Sequence, residues 1–82
     1  MQKVIFYSRP HCSLCEEGIL TLKLVQEELL FKIEVLNIEE DDTLHEKYML
    51  MIPVVEKDGR MIQYGQLDYV TLYEALSVDE IS

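Results

Sequence analysis

Apolar and polar side chains divide the chain into short segments with two distinct periods. The first apolar cluster, Val4-Ile5-Phe6-Tyr7 after Lys3, is β-branched and aromatic. It is followed by Ser8-Arg9-Pro10-His11, so the pattern predicts a buried strand over residues 3–7 and then a loop. From about Ser13 to Leu30 the period lengthens. Cys15, Ile19, Leu22, Val25 and Leu29 recur at three- and four-residue steps and define one face of a helix. Residues 31–38 begin by alternating and predict a second strand. Strand, helix and strand in succession make a βαβ unit, whose strands run parallel through a right-handed crossover.

The acidic run Glu39-Glu40-Asp41-Asp42 precedes a short helix over about 42–49. Thr43 and Glu46 have capping-box spacing, and Asp41 or Asp42 is an alternative cap. A solvated helix start accounts for these acids better than a metal loop, because no regular ligand spacing follows. Pro53 stops the helical pattern. Val54 to Lys57 and Arg60 to Gln63 flank Asp58-Gly59, a strong hairpin signal. After Gly65 a last helix is predicted from Gln66 or Asp68 to Leu76, with Tyr69, Leu72, Tyr73 and Leu76 on one face and a frayed tail from Asp79 to Ser82. The order β-α-β-α-β-β-α gives an α/β fold, a four-stranded mixed sheet with helices on both faces. No repeat or linker interrupts it, so residues 1–82 form a single domain.

Charge narrows the classes of partner. Sixteen acids against seven bases give a formal charge of −9. That argues against nucleic acid, whose recognition needs a basic face, and against an anionic membrane surface. No apolar run approaches the roughly 20 residues of a membrane span. The N-terminal apolar stretch is too short for a signal-peptide core, so a cytoplasmic location is expected.

Only two cysteines occur, Cys12 and Cys15. A bridge across so short a loop constrains little of the unfolded chain, so stapling is a poor reason for the pair. Redox chemistry and metal binding remain. Cys12 falls where the first strand gives way to the first helix, where unpaired N–H groups and the helix dipole favour a thiolate. Arg9 adds positive charge, while Glu16 and Glu17 oppose it. Cys15 lies one turn on, on the same face and deeper in the helix. This is the arrangement that dithiol exchange uses: Cys12 attacks a disulfide and Cys15 resolves the adduct. Structural zinc wants four ligands, and beyond the cysteines only His11 and His45 are available. No metal site is therefore assigned, and an inert core pair is the remaining alternative. Tyr7 is a candidate to line the cleft; the other tyrosines are read as packing residues.

Tyr7-Ser8-Arg9-Pro10-His11-Cys12-Ser13-Leu14-Cys15 resembles the Y-[ST]-[KR]-P-x-C-x-x-C segment of glutaredoxins. The later Ile52-Pro53-Val54, Asp58-Gly59 and Gly65-Gln66-Leu67-Asp68 resemble, in order, a branch of small glutaredoxin-like proteins. The likeness covers about residues 3–76. It implies a thioredoxin fold with strand order 2-1-3-4 and a cis bond before Pro53. It also implies that Pro53 lies beside the cysteines, with the Ile52 backbone open to pair with an extended substrate. Arg9, Ile52, Pro53, Gly65 and Asp68 are the implied substrate or glutathione contacts. Tyr64-Gly65 stands where ordinary glutaredoxins carry Gly-Gly, Ser13-Leu14 replaces their Pro-Tyr, and the chain has no Trp. Asp68 as a helix cap and Arg9 as a surface charge are the plain alternatives.

The expected function is thiol–disulfide exchange on protein or glutathione mixed disulfides, by a monomer without a tightly bound cofactor. Glutathione or a thioredoxin reductase would restore the dithiol. The competing readings are a glutathione-assisted iron–sulfur cluster carrier and a non-catalytic thioredoxin-fold adaptor.

Overall fold

A computed structural model describes the backbone of residues 2–81 and the side chains through Ser77. Its elements are β1 (Lys3–Ser8), α1 (Ser13–Leu29), β2 (Lys32–Asn37), a 3-10 turn (Ile38–Glu40), α2 (Asp42–Tyr48), β3 (Val54–Lys57), β4 (Arg60–Tyr64) and α3 (Tyr69–Ile81). The sheet order is β2-β1-β3-β4. β1 runs parallel to β2 and antiparallel to β3, and β4 is antiparallel to β3. This is the thioredoxin-fold order.

Strand alternation sends side chains to two separate cores. Val4 and Phe6 of β1 and Val55 of β3 meet Leu22, Val25 and Leu29 of α1 and Leu72 and Leu76 of α3. On the opposite face Tyr7 and Val54 meet Ile38, Tyr48 and Ile52. Cys15 belongs to this second cluster although its helix covers the first face. The start of α1 therefore overhangs the end of the sheet, and that end is where the cysteines sit.

Local chemistry explains most element boundaries. Asp58 and Gly59 both take positive φ, 53° and 76°, which is what the tight hairpin between β3 and β4 requires. Of the candidate caps for α2, Asp41 fills the role: its Oδ1 accepts the N–H groups of Thr43 at 2.8 Å and Leu44 at 3.1 Å. α1 ends without glycine. Leu30 takes a left-handed φ of 51° and its N–H donates to the Gln26 carbonyl. The Gln26 side-chain amide then donates to the Phe31 carbonyl at 2.6 Å, holding the turn into β2.

Two expectations need correction. α3 continues past Leu76 to Ile81, because Ser77-Val78-Asp79-Glu80 contains neither Gly nor Pro to stop it; Ser82 lies outside the described residues. Tyr69 and Tyr73 do not share the buried stripe of Leu72 and Leu76. They lie at its exposed margin and stack on each other, ring centroids 5.9 Å apart.

Candidate redox site

Cys12 is the N-cap of α1, in extended conformation with φ −121° and ψ 106°. His11 precedes it with a left-handed φ of 57°, which turns the chain from β1 into the helix. The Cys12 Sγ accepts the backbone N–H of Cys15 at 3.2 Å. This sulfur therefore fills the place that a serine or aspartate oxygen takes in an ordinary cap. The two Cα atoms are 5.2 Å apart and the sulfurs are at disulfide-bonding distance. Cys15 is only 4% exposed, while Cys12 is half-buried. Arg9 and His11 are exposed on the loop that leads to the pair.

Ile52 and Pro53 are buried and joined by a cis peptide bond. The Ile52 N–H already donates to the Tyr48 carbonyl at 3.1 Å. The Gly65 N–H is committed as well, to the carbonyls of Met51 at 3.0 Å and Pro53 at 2.9 Å. A Cβ at Gly65 would meet nothing, so its φ of 76°, rather than space, is what calls for glycine. Asp68 caps α3: its Oδ2 accepts the Thr71 N–H at 2.8 Å and the Thr71 hydroxyl at 2.7 Å. These bonds, from the hydroxyl and then the amide, hold its carboxyl below the usual carboxylate range. Among the described residues no three His, Cys, Asp or Glu side chains are grouped to hold a metal ion.

A family model described as a glutaredoxin-like domain (DUF836) matches residues 3–77. The chain belongs to the glutaredoxin-like family. Protein Ne2328 from Nitrosomonas europaea superposes with a TM-score of 0.80 at 30% identity, over 92% of this chain and 91% of that one. A protein from X. campestris, target XcR50, gives a TM-score of 0.80 at 24% identity, over 92% and 96% of the two chains. Chloroplastic thioredoxin z gives 0.75 at 16% identity, over 100% of this chain and 80% of that one, a likeness of fold. No curated protein matches the sequence.

In this glutaredoxin-like domain the approach of Pro53 to the cysteine helix depends on Gly18, which the sequence pattern did not single out. Glycine inside a helix costs about 1 kcal/mol relative to alanine, so its presence in the second turn of α1 needs a reason. A Cβ there would lie 3.0 Å from Leu67 Cδ1 and 3.1 Å from Pro53 Cγ. Gly18 thus lets α1 press against Pro53 one turn below Cys15. Gly18→Ala is expected to lower stability by about 1 kcal/mol, overpacking of ~1–3 kcal/mol outweighing the helix gain. Thermal unfolding of the variant measures it, and a rise in Tm would show that the contact yields freely.

Glu56 is likewise not marked by the sequence pattern. Its two carboxylate oxygens accept the hydroxyls of Tyr7 at 3.1 Å and Tyr48 at 3.2 Å. The two rings lie 4.6 Å apart. Tyr7 stands near the end of β1 before the cysteine loop, and Tyr48 at the end of α2 before the Ile52–Pro53 loop. One carboxylate therefore holds the roots of both loops. Burial first, then the Glu56 hydrogen bond and charge, push the Tyr7 hydroxyl up to about 12. The fold thus favours the protonated phenol. Its contribution is complete below the ordinary tyrosine value of 10.0 and is lost as pH rises through about 12. Stability against denaturant is expected to fall over that window, and Tyr7→Phe to flatten the slope. Tyr69, raised by its own partial desolvation and by Glu28, leaves a residual slope in the variant. An unchanged slope in Tyr7→Phe would count against this assignment.

Proposed function

We propose that this glutaredoxin-like domain is a thiol–disulfide oxidoreductase. The observation that carries the reading is the Cys12 sulfur at the N-cap of α1, accepting the Cys15 N–H with the second sulfur in bonding reach. In the reduced protein the same N–H and the helix dipole stabilise a Cys12 thiolate. That thiolate attacks a disulfide R–S–S–R′, forms a Cys12–S–R′ bond and expels R–S⁻, which takes up a proton. Cys15 then loses its proton and attacks Cys12 Sγ. The second thiol leaves as R′–SH, and the Cys12–Cys15 disulfide retains the oxidation state that the substrate gave up. Two electrons pass to the substrate, and glutathione or a reductase would return them to the pair.

The neighbouring residues take subsidiary roles. Pro53 bounds the attacked sulfur, and Arg9, exposed on the cysteine loop, offers positive charge to the Cys12 thiolate. Because the Ile52 N–H is given to Tyr48, pairing with a substrate strand would use the Ile52 carbonyl. Gly65 acts by pinning the end of β4 to the Met51 and Pro53 carbonyls, and Asp68 by capping α3. Among the described residues no helix is long and apolar enough to cross a membrane. We place the domain in the cytoplasm as a monomer, in keeping with its redox pair.

The test is a trapping experiment. Cys15→Ser, reduced and mixed with a protein disulfide, is expected to accumulate an adduct through Cys12, seen by intact mass and released by dithiothreitol. A Cys12 left unmodified under those conditions would sink the reading.

A further inference from the structure

The redox pair opens at the end of the sheet where β1, β2 and β4 finish and β3 begins. Apolar side chains gather there in the open. Leu14, between the cysteines, is 42% exposed, Leu50 is 90% exposed and Tyr64 is 54% exposed. They are linked through the Pro53 loop. Leu14 and Gly18 share a helix face, and Gly18 abuts Pro53. The Gly65 N–H binds the Met51 and Pro53 carbonyls, which ties the segment that carries Tyr64 to the one that carries Leu50. A lone exposed leucine needs no explanation, whereas a group of them around a reactive sulfur marks a surface that meets an apolar partner.

The charge around that surface is one-sided. Glu16 and Glu17 follow Cys15 directly. Asn37, the last residue of β2, pairs with Ser8 at the root of the cysteine loop, and Glu39, Glu40 and Asp42 come next, all exposed. Ile38 between them is fully buried in the cluster that holds Cys15, which anchors this acidic segment beside the pair. Against these stand Arg9 and His11 on the cysteine loop, and Lys47, whose ammonium lies 5.1 Å above the Tyr48 ring. The formal charge of the whole chain is −9.

We infer that the substrate of the proposed exchange is a disulfide within a polypeptide segment carrying both basic and apolar side chains, in preference to glutathione disulfide. This rests on the exchange reading given above. Apolar residues beside the substrate sulfur cover Leu14 and Tyr64, while lysine or arginine meets Glu39, Glu40 and Asp42. The carboxylates of glutathione face repulsion from the same rim. Like-charged second copies are repelled too, so the surface suits a partner of opposite sign.

The experiment uses the full chain, reduced, with two synthetic peptides of equal length. Each holds one disulfide flanked by leucines, and they differ only in lysine or glutamate at the outer positions. Oxidised glutathione is the third substrate. Every rate constant is divided by that for dithiothreitol on the same substrate, which removes intrinsic disulfide reactivity. The lysine peptide is expected to react roughly tenfold or more faster than the other two at low salt, with the gap closing at high salt. The pair Glu39→Lys and Glu40→Lys is expected to erase most of that preference. Glu27→Lys with Glu28→Lys, near the far end of α1 and equal in charge change, is expected to leave it. Equal normalised rates, faster glutathione disulfide, or the same loss from both variant pairs would overturn the inference. If no substrate is reduced and Cys12 stays unmodified in the trapping experiment, the exchange reading itself fails; substrates reduced without preference overturn only the inference.

Discussion

Cys12→Ser is expected to fold like the parent and to lose disulfide exchange by several orders of magnitude. The two effects separate because Cys12 has two roles. As a cap it offers a sulfur to the Cys15 N–H at 3.2 Å, and a serine oxygen does that at least as well. As a nucleophile it has no substitute, since a hydroxyl at this position stays protonated and cannot attack sulfur as a thiolate does. The Tm of the variant should therefore stay close to that of the reduced parent. Its rate with a protein disulfide should fall to background, and alkylation at low pH should find no reactive thiol. Residual exchange near the parental rate would move the chemistry to Cys15 and undo the assignment of roles.

Phe6→Ala should produce the largest loss of stability. Phe6 is 1% exposed on β1, a central strand, where it meets residues of α1, α3 and β3 in one core cluster. Removing a buried phenyl ring costs about 3–5 kcal/mol, from lost transfer energy and the cavity left behind. A chain of 82 residues has roughly 4–12 kcal/mol in all. The variant is therefore expected to unfold roughly 15–30 °C lower. Leu20→Ala, at an exposed position of α1, should stay within about 0.5 kcal/mol of the parent. Equal losses from the two would mean that the buried and exposed sides of the fold had been misassigned.

The sequence revealed what is set by neighbours along the chain. The alternation in β1, the helical spacing of Cys15, Leu22, Val25 and Leu29, and Asp58-Gly59 each carry their own structural cause within a few residues. The family resemblance supplied the strand order and the place of Pro53. Features that depend on distant partners were hidden. Gly18 looks like a flaw in a helix until Pro53 and Leu67 are seen against it. Glu56 reads as a polar strand residue, and only the fold brings it to Tyr7, 49 residues away. Leu30 gives no sign that it will end α1 in a left-handed turn, because the Gln26 contacts that hold the turn are matters of geometry rather than composition. At the site itself, the backbone N–H groups of Ile52 and Gly65 proved to be engaged within the protein, which residue type cannot disclose.

The shared grip of Glu56 on two phenols bears on how tightly an incoming chain can be held. The cysteine loop and the proline loop spring from residues moored to one carboxylate, so neither can drift without dragging the other. Much of the ordering that a visiting disulfide would otherwise impose on these walls is already in place before it arrives. Little of its contact energy is then consumed in arranging the host, and more is left to hold the scissile sulfurs in line.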